Sequence, residues 1–316
     1  MRCRKCKDKG KIKRAIIFLS HHNLALCGEC FVEWYEKKLR QTIKKMNMFS
    51  IKDKVLVAVS GGKDSLALWY ALNKLGYRTE GIYIDLGIDR QSYSSLSREK
   101  AELLSNKIGK PLHVIEIKKE LGADIIKLDR LTRQSACSIC GLVKRYFTNK
   151  LTLRGGYFCV ATGHNLDDET ATLLANTLSW DTDSLSRQMP VLPEKEGLAR
   201  RVKPLIYFTE KENLLYCFLQ KIDYIADECP LSARTGSIFY KKILNSIEER
   251  SPGTKLRFYF NFLKNIQSFL SSRVSPPLHP CPTCGQPTTA RENCAFCRLK
   301  EKIQLTFSGQ VHPEAS

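Results

Sequence analysis

The run KVLVAVSGGKDS, residues 54–65, starts as a strand and ends as a turn suited to an anion. Lys54–Ser60 is apolar and β-branched, as expected of a strand buried on both faces. Gly61 and Gly62 then let the backbone fold tightly, so that its N–H groups converge. Ser60, Lys63 and Ser65 add donors and charge. A helix predicted over Asp64–Leu75 points its positive end at the same place. The pattern is shorter than a Walker A loop, which needs G-x-x-x-x-G-K-[ST], and it suits a pyrophosphate.

Strands and helices alternate outward from this turn. Thr79–Asp85 reads as a strand, Tyr93–Ile108 as a helix and Leu112–Ile117 as a third strand. A helix over Ile139–Leu153, a strand at Tyr157–Thr162 and a helix at Asp167–Ser179 continue the series. This pattern implies an α/β fold with a doubly wound parallel sheet, whose ligands lie at the carboxyl ends of the strands near the switch point. Ahead of it, residues 31–47 predict a basic amphipathic helix. Pro190–Pro204 reads as a connector and Glu210–Leu219 as a helix. From Gly236 the chain is helical and lysine-rich, broken at Pro252-Gly253, and Ser271–Pro280 reads as a linker.

Thirteen cysteines with no secretory signal argue against a disulfide framework, and their spacing argues for metal. Cys3-x2-Cys6 with Cys27-x2-Cys30 forms one double knuckle, and Cys281-x2-Cys284 with Cys294-x2-Cys297 forms another. Two thiolate turns fill a tetrahedral shell, so each set predicts a closed, structural zinc site. Redox dithiols are the competing reading, though such pairs normally sit in a βαβ context. His21 and His22 lie close to Cys27 and are expected at the surface or against RNA. Cys159 and Cys217 fall in apolar runs and read as core. Cys137, Cys140 and Cys229 remain, in polar surroundings and with no fourth partner. Three thiolates would leave a coordination position open, as a reactive site requires.

The 51 Lys+Arg against 32 Asp+Glu give a net charge of +19, and residues 1–49 alone hold 13 basic and 4 acidic side chains. A polyanion is the natural partner, because each cation that replaces a phosphate counterion gains the entropy of its release. With 43% hydrophobic residues in 316, the composition is that of a soluble globular protein of about two domains. No segment is apolar for long enough to span a membrane.

SGGKDS resembles the PP-loop of the N-type ATP pyrophosphatases, which adenylate a carbonyl-type oxygen and release pyrophosphate. CSICGLVKR (137–145), ATGHNLDDETA (161–171), DECP (227–230), NSIEERSPGTK (245–255) and the two cysteine knuckles extend the likeness nearly end to end. With these motifs the chain is similar to the tRNA 2-thiouridine synthetases of the TtuA/NcsA (Ctu) type.

That resemblance implies a Rossmann-like PP-loop ATP pyrophosphatase fold flanked by two small zinc-binding modules. It divides the chain into an N-terminal zinc finger and basic helix (1–48), the PP-loop domain (49–225), a basic helical tRNA-binding region (226–275), a C-terminal zinc finger (276–303) and a disordered tail (304–316). ATP is then expected along Ala58, Val59, Ser60, Gly61, Gly62, Lys63, Asp64 and Ser65, against Ile84 and within backbone contact of Gly163. Asp64 would hold Mg2+ with the phosphates, Lys144 would neutralise phosphate charge, and Asp168 would assist metal binding or proton transfer. Cys137, Cys140 and Cys229 would ligate a [4Fe–4S] cluster whose open iron carries the incoming sulfide. The other cofactors implied are ATP, Mg2+ and two Zn2+. The implied partners are tRNA and a sulfur donor, either sulfide or the thiocarboxylate of a ubiquitin-like carrier, with a homodimer in the cytoplasm. The family often has a histidine among the ligands of its first zinc site, whereas here four cysteines already complete it.

The chemistry fits these parts. The C2 oxygen of uracil is a poor leaving group until ATP converts it to an adenylate, which sulfide can then displace. A tRNA 2-thiocytidine synthetase is the nearest alternative. A non-catalytic zinc-ribbon RNA-binding scaffold is another, against which the intact SGGKDS and Asp168 speak. Which uridine is modified is not written in these motifs.

Overall fold

The computed structural model describes residues 1–88, 92–132, 134–231, 236–266, 270 and 277–307. It begins with helix α1 (Arg4–Lys7), a hairpin of β1 (Ile17–Leu19) and β2 (Leu24–Leu26), and helix α2 (Gly28–Lys45). α2 is the predicted basic amphipathic helix, starting earlier than residue 31 because Cys27 stands at its N-cap. Phe31, Tyr35, Leu39 and Ile43 are each 0–1% exposed. Their spacing of four keeps them on one stripe, which seats the helix on the central domain.

The next strands are β3 (Lys54–Val59), β4 (Arg78–Asp85), β5 (Leu112–Glu116) and β6 (Cys159–Thr162). Helices α3 (Lys63–Lys74) and α4 (Tyr93–Ile108) connect the first three; α5 (Ile117–Leu121), α6 (Ile125–Thr132) and α7 (Ala136–Arg154) lead to β6. With β7 (Val191–Leu192) and β8 (Arg201–Val202) they form one six-stranded sheet of order β5-β4-β3-β6-β8-β7. β3 pairs in parallel with both β4 and β6. The chain therefore builds outward from β3 in one direction, then returns to add β6 on the other side. The switch point lies between β3 and β6, at the end of the SGGKDS strand.

Alternate residues of β3 serve two cores. Val55, Val57 and Val59 join the layer of α2, α3 and Tyr216, while Leu56 and Ala58 join that of Ile139 and Val143. Full burial of each such aliphatic side chain contributes about 1.5–3 kcal/mol, which explains why this run is apolar at every position.

The structure corrects the sequence reading in several places. The expected connector Pro190–Pro204 contains β7 and β8, and β7 runs antiparallel, so the sheet is parallel except at that edge. Strands of two residues are too short to show a period. No element is predicted between Ile117 and Ile139, where α5 and α6 lie, and α7 starts at Ala136, ahead of Ile139. Ser135 caps α7 by accepting from the Ser138 N–H, so Cys137 and Cys140 fall inside the helix.

Beyond β6 come α8 (Leu166–Leu178), α9 (Thr182–Ser186), α10 (Glu210–Leu219), α11 (Gly236–Arg250) and α12 (Thr254–Asn265). The α11–α12 break falls at Pro252-Gly253, where Gly253 has φ +85°. The C-terminal module is a hairpin of β9 (His279–Pro280) and β10 (Pro287–Thr288), followed by α13 (Ala295–Phe307). α13 carries the helix through residues 304–307 of the expected tail; the rest of that tail lies outside the described residues, as do residues 271–276 of the expected linker. Among the described residues no helix is long and apolar enough to cross a membrane.

Candidate functional site

The turn after β3 is fixed by its own small residues. Gly61 has φ +77°, and a Cβ there would stand 2.2 Å from the Ser97 carbonyl oxygen, so no other residue fits. The Ser65 hydroxyl donates to the Gly62 carbonyl at 3.0 Å and accepts the Ser60 N–H at 3.1 Å. Gly62, as N-cap of α3, has no side chain to occupy the free N–H groups of the first turn, which remain for a ligand. Across the switch point, Gly163 comes so close that a Cβ would lie 2.8 Å from the Ser65 nitrogen. The loops after β3 and β6 therefore meet. Ala58, Val59 and Ile84 lie at the carboxyl ends of β3 and β4, Val59 and Ile84 buried and Ala58 half-buried.

Two carboxylates face the junction. Asp64 accepts from the side-chain amides of Asn213 at 2.7 Å and Asn165 at 3.1 Å, and its second oxygen stands 3.0 Å from the Lys63 ammonium. Burial raises the Asp64 pKa; Lys63 and Asn213 oppose the rise, and the charge of Asp168 adds to it. Asp168 closes a capping box with Asn165 at the start of α8. Its Oδ1 is 2.5 Å from Lys241, which also reaches Glu210. Burial would raise the Asp168 pKa, but Lys241 and His164 hold it below the ordinary value. For Lys241, burial acts downward and the two carboxylates outweigh it. The neighbouring Asp167 is buried against Lys255 and accepts the Glu210 N–H, so it secures α8.

Asn165, Asn213, Glu210 and Lys241 are site residues that sequence reading missed. Asn165 stands inside the quoted ATGHN. Lys241 comes from a helix where periodicity shows only a basic face, and no local signal separates it from Lys242.

Each of the four-cysteine sets converges, with all four sulfurs within 4.8 Å of one another. Cys6 lies 3.7 Å from Cys27 and 3.6 Å from Cys30, and Cys284 lies 3.7 Å from Cys294. A tetrahedral ion with Zn–S of about 2.3 Å requires S···S distances of about 3.8 Å, so the donor sets fit zinc. Burial would raise Cys281, yet backbone N–H groups from Cys294, Cys284 and Thr283 hold it at about 6, ready as a thiolate. The C-terminal module is fastened to α7: Phe296 stacks on Tyr146 at 3.6 Å, and Asn149 donates to Gln286 at 2.6 Å. His21 and His22 correct the sequence expectation. They pack against each other, His22 lies edge-on to Trp34, and His21 sits 3.4 Å from Glu212 in the interior.

Cys137 is exposed, while Cys140 and Cys229 are half-buried. They lie near enough that, after burial, the charges of Cys140 and Cys229 raise Cys137 further. Their sulfurs do not stand at the mutual distances found in the two zinc-type sets. A cluster needs the wider arrangement, because each thiolate binds a different iron. A short strap carries Cys229 between the glycine turn and the start of α7: the Ile225 N–H donates to Gly61 O at 3.0 Å, and Leu231 O accepts from Cys137 Sγ at 3.4 Å. Lys144 is exposed on α7, four residues after Cys140 and seven after Cys137, on the same face.

The family model described as a PP-loop domain matches residues 33–235, and that of the 2-thiouridine synthetase TtuA N-terminal LIM domain matches residues 2–32. The chain is 43% identical over 303 residues to the tRNA-5-methyluridine(54) 2-sulfurtransferase of Thermus thermophilus, across 96% of this chain and 92% of that one. It is 38% identical over 311 residues to the like-named protein of Pyrococcus horikoshii, across 98% and 97%. Its fold is similar to the U34-tRNA thiolase NcsA from Methanococcus maripaludis with its [4Fe-4S] cluster, with a TM-score of 0.79 and 26% identity over 95% of this chain and 96% of that chain. The chain belongs to the PP-loop family of tRNA 2-thiouridine synthetases of the TtuA type.

Proposed function

We propose that this protein is an ATP-dependent tRNA uridine 2-thiolase acting on the T-loop uridine at position 54, the position in the names of its relatives of 38–43% identity. The observation that carries the reading is the strap of residues 225–231, which joins the phosphate loop at Gly61 to the cysteine turn at Cys137. One substrate atom can thus meet both an activating nucleotide and a sulfur source.

ATP lies along Ala58–Ser65 and Ile84, its phosphates on the N–H groups of the loop and the first turn of α3. Asp64 and Asp168 would hold Mg2+, whose charge would offset both the burial and the Asp168 repulsion that raise Asp64. Lys63 and Lys144 take up phosphate charge. The uracil C2 oxygen displaces pyrophosphate from the α-phosphorus; sulfide then adds at C2, and AMP departs with the former C2 oxygen. Bound by Cys137, Cys140 and Cys229, a [4Fe–4S] cluster supplies an open iron for the sulfur to be transferred. Cys3, Cys6, Cys27 and Cys30, and Cys281, Cys284, Cys294 and Cys297, each hold one structural Zn2+. The donor is sulfide or a ubiquitin-like thiocarboxylate carrier, and the site of action is the cytoplasm. A homodimer suits the exposed stripe Phe239, Ile243 and Ile247 along α11.

The test is anaerobic reconstitution with iron and sulfide, followed by ATP and unmodified tRNA. Expected are about four irons and two zincs per chain, one AMP per thiolated tRNA, and 2-thiouridine mapped by nuclease digestion and mass spectrometry to position 54. Thiolation at position 34 would move the substrate to the wobble base. A thiolated cytidine, or no thionucleoside from the iron-loaded protein, would overturn the reading.

A further inference from the structure

α7 presents two neighbouring faces. Cys137, Cys140 and Lys144 lie on one; Ser138, Leu142 and Arg145 lie on the next, turned by about 100°. Against this second face α13 sets Arg298, Leu299 and Lys302, leaving a cleft of about 460 Å³. Leu142 and Leu299 form an apolar floor, and three cations rim it.

Those cations are not neutralised. Arg145, Arg298 and Lys302 are exposed, and none forms an ion pair among the described residues. Lys302 is only tethered, donating to Thr132 O at 2.9 Å. A fourth cation, Arg201 of β8, is drawn toward the same corner, donating to the Arg145 carbonyl at 3.3 Å. Burial and the nearby Arg145 guanidinium both depress the Arg201 pKa. Like charges gathered without a carboxylate favour an anionic ligand.

We propose that the cleft between α7 and α13 binds phosphates of the RNA backbone, seating the substrate beside the sulfur-transfer cysteines; this rests on the reading of tRNA as substrate. Several separated cations match a run of phosphodiesters, whereas the single carboxylate of a carrier protein's C-terminus would be satisfied by one guanidinium fork. The apolar floor suits a ribose or a base face, which bare phosphate binding would not need. Ser138 lies between Cys137 and Cys140 in sequence, so an RNA strand held here borders the cysteine turn.

The experiment uses the full zinc- and iron-loaded chain and follows binding of labelled unmodified tRNA by anisotropy between about 50 and 200 mM salt. R145Q/R298Q is expected to weaken binding about tenfold and to flatten the slope of log K against log salt by about 1.5, since each phosphate contact contributes about 0.7–0.9. R145K/R298K should recover most of that slope. ATP-analogue affinity and zinc content should not change, because the substitutions alter only side chains and Arg298 meets the zinc set through its backbone N–H to Cys294 O. Should the double variant fail to fold, R298Q alone carries the same test with half the change in slope. An unaltered affinity and slope would overturn the proposal. So would unaltered tRNA binding with loss of only carrier-dependent thiolation, which would give the cleft to a protein donor. Failure of the unsubstituted protein to bind tRNA would instead sink the substrate reading beneath it.

Discussion

Cys27-x2-Cys30 and Cys137-x2-Cys140 share a spacing and a position, each at the start of a long helix, yet they sit in different surroundings. The first pair meets Cys3 and Cys6 across a hairpin, and all four are at most 6% exposed. The second meets only Cys229, and Cys137 is open to solvent. Spacing alone thus reports that a metal can bind; the count of returning thiolates and their access decide whether it is locked away or left reactive. The comparison breaks if either group behaves like the other. Cys229→Ala is expected to lower thiolation by at least about 10³-fold, as loss of one member disables the unit, while zinc content stays at two per chain. Cys159→Ala and Cys217→Ala serve as contrasts: both thiols are fully buried in the core, so substitution should cost stability and leave thiolation intact. Full activity in Cys229→Ala would merge the two classes.

The nucleotide half of the open site can be separated from its sulfur half. Asp64→Asn keeps the shape of the side chain and an oxygen for the Asn165 and Asn213 amides, but it removes the charge and the acceptor that face Lys63. It is expected to cut pyrophosphate release by about 10²–10³-fold while iron content is unchanged. Pyrophosphate release at the native rate would show that the carboxylate is not used for metal or charge.

The closed sites are tested through stability. Cys294→Ser should lose one zinc and on the order of 3 kcal/mol of folding free energy, read as metal content and melting temperature. Because Phe296 stacks on Tyr146 of α7, the same variant should also take up less iron, although Cys294 lies outside the proposed cluster set. Normal iron loading in a zinc-depleted variant would mean that α7 holds its cysteines in place unaided.

Sequence and structure agree where signals are local. The strand–glycine–helix grammar of residues 54–75 placed the switch point, and pairs of CxxC turns placed both closed sites, because each depends on neighbours within a few residues. Lys241, Asn213 and Glu210 carry no such signal: Asn213 of α10 reaches Asp64, Lys241 of α11 reaches Asp168 and Glu210 of α10 holds Lys241, all from elements brought in by tertiary packing. β7 and β8 escaped notice because a strand of two residues carries no alternation. Nothing in SHHN reveals that Glu212 of α10 will meet His21 or that Trp34 of α2 will meet His22.

A third region, at the amino edge of the sheet and so opposite the phosphate loop, offers the smallest and cleanest contrast. Glu80 of β4 accepts from Tyr157 at 2.5 Å and His113 at 2.8 Å, and lies 2.9 Å from Lys54, which begins β3. Burial would raise its pKa, but the bonds from Tyr157, His113 and Lys54 bring it down to about 2. A carboxylate depressed in the folded state stabilises at pH values above its ordinary range near 4.5, and that contribution drains away as the pH falls toward 2. Solvent reaches the group and screens it, so Glu80→Gln should cost about 1 kcal/mol at pH 7, with the gap from the unsubstituted protein closing on acidification. Denaturant melts at pH 7 and pH 3 measure that gap, and a constant gap would mean the cluster contributes packing and not charge. Zinc, iron and thiolation should all be unchanged in this variant, since the group ties β3, β4, β5 and the start of β6 together far from either kind of cysteine. A loss of iron there would mean that strand register at one edge sets cysteine geometry at the other, and the open site would then be a property of the whole sheet.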